Sequence, residues 1–304
     1  MRVAVLGTGA LGCVFSARLA ELAEVWMLGT WQEGLAAVQR GGVCIEEPDG
    51  RVHAERVFTS SDPGAVPAVD IALIMVKSYQ TDRAAAWASQ VLLASGLAVT
   101  LQNGLDNGTK IAAAVGENRV ALGVTYAGAT LLGPGRARLV ANLPTHVASH
   151  DSIAPGVSAF VSLLRDVGLE AHATGAVEGR LWAKAIANAA INPLTALWRV
   201  TNGELLEGVD RRRVMTNLAQ EALRVSLASG VEPPIEDAIT YVESVCRATA
   251  ANRSSMLQDV ERGRPTEIDS INGVIVGQGL RLGIPTPFNE AIWLLVRGLA
   301  AASG

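Results

Sequence analysis

The chain has 304 residues, of which 49% are apolar and 18% charged, and carries a formal net charge of −4. That length exceeds one typical domain and supplies apolar material for two buried cores, which excludes a disordered chain. The acidic balance, with no basic face in the sequence, argues against a nucleic-acid partner.

In chain order, the N-terminal half alternates short β-branched runs with helical stretches. Val3 to Leu6 reads as a buried strand, Leu11 to Leu22 as a helix and Glu24 to Leu28 as a second strand. Two further apolar runs, Asp70 to Val76 and Leu97 to Leu101, each precede a helical pattern. Strand, helix and strand in this order predict a parallel sheet with helices on both faces. Between Val120 and Val147 short strands and turns predict an antiparallel extension of the same sheet.

From Val177 the texture becomes helical, with apolar residues at helical spacing over Glu178 to Asn192, Arg211 to Ser229, Ile235 to Ala251 and Ile268 to Leu282. The expected organisation is an α/β domain over residues 1–172 followed by an all-α domain over residues 173–304.

Cys13, Cys44 and Cys246 are far apart and follow no metal-ligand spacing, and Cys13 and Cys44, in apolar surroundings, read as buried, reduced thiols. His146 and His150 are four residues apart but fall in strand and loop, and no metal site is expected. The apolar N-terminus imitates a signal peptide, yet Gly7, Gly9 and Gly12 interrupt it. No apolar run reaches roughly eighteen residues, so no membrane span is expected and the expected compartment is the cytoplasm.

Those glycines form Gly7-Thr8-Gly9-Ala10-Leu11-Gly12, a GxGxxG turn between a strand and a helix. In that setting the first glycine permits the tight turn, the second admits a pyrophosphate, and the third allows close strand–helix packing. The helix N-terminus adds unpaired N–H groups and a partial positive charge. A purely structural glycine turn is the alternative.

Cofactor preference is usually written at the end of the second strand, as an acid for NAD or an arginine for NADP. Here that strand ends in Leu28-Gly29-Thr30-Trp31, which has neither. Thr30 could donate to a 2′-phosphate and Arg40 could reach it, although both also read as plain surface residues.

Several polar residues stand where ligands gather. Lys77 and Gln102-Asn103-Gly104 follow apolar strands directly, and open parallel sheets bind ligands at those strand ends. A solvated strand end and an ordinary turn are the respective alternatives. Lys184, Asn188 and Asn192 recur every four residues and stack along one helical face among small and apolar neighbours. Such a stripe is costly unless each head group finds a partner, which points to a substrate site or to a structural hydrogen-bond network. Thr266 to Asp269 has the form of a capping box, with Glu267 in the first turn.

The segments GTGALG at 7–12, VKSYQT at 76–81, QNG at 102–104, LWAKAIANAAINPLTALW at 181–198, TNGEL at 201–205 and NRSSMLQDV–RGRPTEIDSING across 252–273 carry a resemblance. Over essentially its whole length the sequence resembles the ketopantoate reductase family, the 2-dehydropantoate 2-reductases of pantothenate synthesis. The resemblance implies a Rossmann-type N-terminal domain and an all-α C-terminal domain. It also implies NADPH as cofactor, with NADH as the alternative, and a small 2-oxo acid as substrate.

By motif, Lys184 matches the proton donor, and Asn188, Asn192, Asn202 and Ser255 match residues that hold the substrate. Asn103 matches a position that touches both nicotinamide and substrate. Lys77, Ala129 and Glu267 match positions associated with the cofactor and the closed active site. The sequence departs from the family at Thr30 and Trp31, near which an arginine often binds the 2′-phosphate. The implied chemistry is hydride transfer to the ketone carbon with Lys184 protonating the alkoxide. Two alternatives remain at this level: a reductase of another small 2-oxo or 3-oxo acid, and a dinucleotide-binding sensor. The apolar C-terminal helices fit a homodimer or burial within one chain equally.

Overall fold

The computed structural model describes residues 1–301. Two compact units divide the chain: Met1–Gln102 with Asn107–Val177 form the first, and Asn103–Asp106 with the chain from Glu178 onward form the second.

The first unit begins with β1 (Arg2–Leu6), α1 (Ala10–Ala20), β2 (Glu24–Leu28), α2 (Gln32–Gly41), β3 (Val43–Glu46), β4 (Val52–Glu55), β5 (Phe58–Ser60) and β6 (Val69–Ile74). It continues with α3 (Thr81–Val91), β7 (Leu92–Thr100), α4 (Asn107–Val115), β8 (Val120–Thr125), β9 (Gly128–Gly133) and β10 (Arg136–Ala141). β11 (Thr145–Ala148), α5 (Ala154–Asp166) and β12 (Ala171–Thr174) complete it.

Eight strands form one sheet in the order β12-β11-β8-β7-β6-β1-β2-β5. Val3 pairs with Val25 of β2 on one side and Ile71 of β6 on the other, both in parallel register. The strand order reverses beside β1, and at such a switch point a parallel sheet leaves a crevice at its strand C-termini. Val3, Val5, Ile71, Leu73 and Val99 are fully or nearly fully buried, as a sheet covered on both faces requires.

The expectation of an antiparallel extension holds only in part. β11 does run antiparallel to β8 in the large sheet, with Thr145 opposite Thr125. β9 and β10 instead join β3 and β4 in a second, four-stranded sheet of order β4-β3-β10-β9. That sheet buries Ile45 and Leu139 against Cys13 and Val14 of α1. The apolar face of α1 needed a second partner, and these short strands supply it.

The second unit contains α6 (Glu178–Trp198), α7 (Val209–Ala228), α8 (Ala238–Ala248), α9 (Ser255–Glu261), a π-helical turn at Asp269–Gly273, α10 (Val274–Leu282) and α11 (Pro287–Ala301). Ile186, Ala190 and Leu194 of α6 share a core with Leu218, Val225, Val242, Ile275 and Val296. Pro193 lies inside α6 and cannot donate to the carbonyl of Ala189. The Nδ2 of Asn272, wholly buried in the π turn, donates to that carbonyl at 3.1 Å.

Asn272 Nδ2 also donates to Asn289 Oδ1 at 3.0 Å, and Asn289 Nδ2 donates to Glu221 Oε2 at 2.8 Å. The Glu221 carboxylate accepts from the backbone N–H groups of Phe288 and Asn289, which satisfies donors that the start of α11 leaves open. One buried polar chain thus ties α6, the π turn, α11 and α7 together.

The capping box expected at Thr266–Asp269 does not form. The turn's N-cap is Ile268, which makes no side-chain cap. Asp269 accepts from Trp293 Nε1 at 2.6 Å and lies 3.6 Å from Arg297, both on α11. A tertiary donor and a nearby cation outcompete the local N–H.

Candidate functional sites in the two units

In the first unit the glycine turn separates structural from ligand-related requirements. Gly7 has φ +140°, and a Cβ there would lie 2.8 Å from the Met75 carbonyl. A Cβ on Gly12 would run into the carbonyl oxygen of Gly7. Both positions need glycine for the fold itself. Gly9 differs: its φ of −78° suits any residue, and a Cβ there would meet nothing within 4 Å. No contact among the described residues requires this glycine, and a phosphate lying against the backbone would.

Gly9 is also the N-cap of α1, with no side-chain cap and no acidic residue in the first turn, so the turn's N–H groups and dipole are open to an anion. Thr8 sits partly exposed, and Ala10 and Leu11 turn toward the two cores beside α1. This cradle fits a dinucleotide pyrophosphate.

Next to it lies a small cavity of about 90 Å³, bounded by Gly7 and Thr8, by Thr30 and Trp31 after β2, and by Gln80, Arg83 and Trp87. Thr30 therefore faces this space. Arg40 sits in the last turn of α2 and does not line it.

Lys77 is the N-cap residue of a short 3-10 turn after β6. The backbone just before it packs against the glycine turn, since Gly7 approaches Met75 and Val76. Gln102 braces this region: its Nε2 donates to Val76 O at 2.8 Å and to Thr81 Oγ1 at 2.9 Å. Thr81 in turn donates to Asn107 Oδ1. Ala129 lies on β9, pairs with Leu139 and packs on the core under α1.

In the second unit, Lys184, Asn188 and Asn192 follow one another along α6, the first two partly buried and the third 7% exposed. Burial pushes the Lys184 ammonium down to about 8, and the buried Glu267 carboxylate pulls it back up. The lysine is thus held closer to neutrality than a free side chain would be.

Thr195 Oγ1, one turn beyond Asn192, donates to Ser254 Oγ at 2.7 Å. Ser254 caps α9 by accepting from Leu257 N, which leaves Ser255 exposed on the first turn of that helix. Asn202 N donates to Asn252 O, and its Nδ2 to Thr249 Oγ1, so it stands beside the same segment. Its Oδ1 is buried and accepts no hydrogen bond from the described residues.

Asn192, Asn202 and Ser255 are therefore linked through short hydrogen-bonded ties. Along the helix axis, Lys184 stands about 12 Å from Asn192. Asn103 belongs to the four-residue segment grouped with this unit, where Leu105 packs on the helical core and Gly104 turns the chain at φ +99°.

Some of what shapes these sites is not in the sequence motifs. Arg83 and Trp87 reach the cavity only because α3 runs beside β1, and no local pattern marks them. Asn272 could have been suspected from Pro193, which demands a substitute donor somewhere.

Family models match both parts of the chain. Residues 3–152 match the model described as ketopantoate reductase PanE/ApbA, and residues 176–300 match its C-terminal counterpart. A 2-dehydropantoate 2-reductase of Archaeoglobus fulgidus is 37% identical over 302 residues, covering 98% of this chain and 97% of the relative. A PanE/ApbA family ketopantoate reductase from Ralstonia eutropha superposes with a TM-score of 0.92 at 31% identity, covering 100% of this chain and 99% of that one. D-mandelate dehydrogenase with NADH and anilino(oxo)acetate has the same fold, with a TM-score of 0.94 at 23% identity and coverage of 100% and 99%. On these matches, which span nearly its whole length, this chain belongs to the ketopantoate reductase family.

Proposed function

We propose that the chain reduces 2-dehydropantoate (ketopantoate) to pantoate in pantothenate biosynthesis. NADPH is the proposed hydride donor, with NADH as the alternative. The carrying observation is the part-buried lysine of α6, whose pKa burial lowers to about 8 even though Glu267 pulls it up. A general acid works best with a pKa near the operating pH, and an ordinary lysine at about 10.4 is poorly matched.

A reduced nicotinamide, when bound in the glycine cradle, would supply the hydride for the ketone carbon. Lys184 Nζ protonates the oxygen as negative charge builds on it, and its own positive charge stabilises that oxygen beforehand. Glu267 keeps Lys184 protonated between turnovers. Asn188 and Asn192 hydrogen-bond the ketone and the distal hydroxyl, for which neutral amides suit better than charges. Asn202 offers the buried acceptor at Oδ1, Ser255 receives the substrate carboxylate, and Asn103 orients both reactants. Gly7, Thr8, Gly9, Ala10, Leu11 and Gly12 cradle the pyrophosphate, with Lys77 and Ala129 supporting the same cofactor.

In this reading residues 1–172 serve the cofactor and residues 173–304 the substrate. The proposed compartment is the cytoplasm; among the described residues no helix is long and apolar enough to cross a membrane. The exposed Leu280, Leu294 and Leu295 of α10 and α11 favour a homodimer.

A spectrophotometric assay of a panel of 2-oxo and 3-oxo acids with each nicotinamide tests the reading. Ketopantoate is expected to give the highest kcat/KM, by about tenfold or more. Turnover of a different oxo acid with none of ketopantoate would reassign the substrate, and binding of nicotinamide with no turnover at all would favour a sensor.

A further inference from the structure

We propose that Arg83 of α3 makes this protein select 2′-phosphorylated dinucleotides, supplying from a helix the cation that the β2–α2 connection lacks. The proposal rests on the dinucleotide reading of the glycine turn and adds the residue that decides between the two nicotinamides.

Charge in the cavity beside that turn is one-sided. In a dinucleotide fold the end of β2 faces the adenosine ribose, where a carboxylate holds a 2′-hydroxyl and repels a 2′-phosphate. Here the chain reads Leu28-Gly29-Thr30-Trp31, and among the described residues no acidic one lines the cavity. Arg83 lines the same cavity as Thr30 and Trp31, the one cationic residue to do so among the described residues. Arg40, the basic residue nearest to Trp31 in sequence on that side, stays at the far end of α2.

The guanidinium is also available. Arg83 is exposed, and no carboxylate among the described residues forms an ion pair with it. Its guanidinium carbon lies 6.0 Å from the centre of the Trp87 ring, a contact that parks the fork at the cavity wall without using its donors. A guanidinium offers a planar pair of N–H groups to a phosphate, and a 2′-phosphate brings about −1.5 to −2 charge to meet it. Thr30, which lines the same cavity, adds a hydroxyl donor. A 2′-hydroxyl alone would leave Arg83 without an anionic partner.

Isothermal titration of the full chain with adenosine 2′,5′-bisphosphate and with 5′-AMP separates this idea from the reading beneath it. Hydrogen bonds to a charged group predict that the wild type binds the bisphosphate about 10- to 100-fold more tightly. In Arg83→Met the ratio should fall to about threefold or less, chiefly through loss of bisphosphate affinity, and Arg83→Lys should keep part of it. The wild-type preference should also shrink as salt is raised, since the site is open to solvent. Equal wild-type affinities, or an undiminished ratio in a folded Arg83→Met, would overturn the role of Arg83 and leave dinucleotide binding intact. Failure of the wild type to bind 5′-AMP, the bisphosphate and NADH alike would overturn both.

Discussion

The two units present their sites in opposite ways. The proposed anion cradle of the first consists of missing side chains: Gly9 leaves open space, and α1 has no side-chain cap. The second builds its site from side chains placed where a helix core would exclude them, a lysine and two asparagines among alanines and isoleucines. A backbone cradle is lost by adding a methyl group and a side-chain site by removing a head group. The two halves can therefore be broken independently, with different readouts.

The largest effect is expected from removal. Lys184→Ala should lower kcat for ketopantoate by about 10²- to 10⁴-fold, the range for losing a positioned general acid, while calorimetric dinucleotide affinity is retained. Near-normal turnover in that variant would return the stripe on α6 to a structural role.

Removing the support behind the stripe should cost stability. Asn272→Ala strands the buried acceptors at Ala189 and Asn289, and urea unfolding should show a loss of about 2–5 kcal/mol. Pro193→Ala restores an N–H to α6, so Asn272→Ala should cost less in that background. Additive losses would mean that Asn272 does not stand in for the proline.

Addition should act on the first unit alone and more mildly. Gly9→Ala meets no protein atom, so its Tm should stay close to that of the wild type while dinucleotide Kd rises about tenfold. Gly12→Ala, which collides with the Gly7 carbonyl, should lower Tm instead. If Gly9→Ala binds dinucleotide normally, the open space beside it is not where the pyrophosphate lies.

The smallest effect concerns pH and stability. Because the folded pKa of Lys184 lies below the unfolded value of 10.5, at about 8, the unfolded chain binds the extra proton between those values. Stability should therefore rise with pH across that window relative to Lys184→Met, measured as urea midpoints. A constant difference between the two proteins would deny the shift.

The ease of reading the sequence followed the same division. β1, β2 and the glycine turn were legible because a buried parallel strand and a phosphate turn are local patterns with local causes. The Lys184 stripe was legible because its polarity contradicts its neighbours. The second sheet was not, since its short strands become strands only by covering α1.

The local box at Thr266 fails for a related reason: Asp269 finds a better donor in Trp293 and a cation in Arg297, which lie 24 and 28 residues further along. Arg83 beside the cavity and the grouping of Asn103–Asp106 with the helices are likewise products of the assembled fold. The pKa of Lys184 depends on burial that no motif encodes; its reference value predicts only that it is charged.

Central to the proposed function is that Lys184, its pKa lowered by burial to about 8 against the pull of Glu267, gives up its proton near neutral pH. The most direct measurement is the pH dependence of kcat/KM for ketopantoate in the wild type and in Glu267→Gln, since kcat/KM reports the pKa of the free enzyme. The wild type should lose activity as pH rises through about 8, and Glu267→Gln should lose it at lower pH because the raising influence is gone. A wild-type profile level up to the ordinary lysine pKa of about 10.4, or one that Glu267→Gln leaves unmoved, would contradict it.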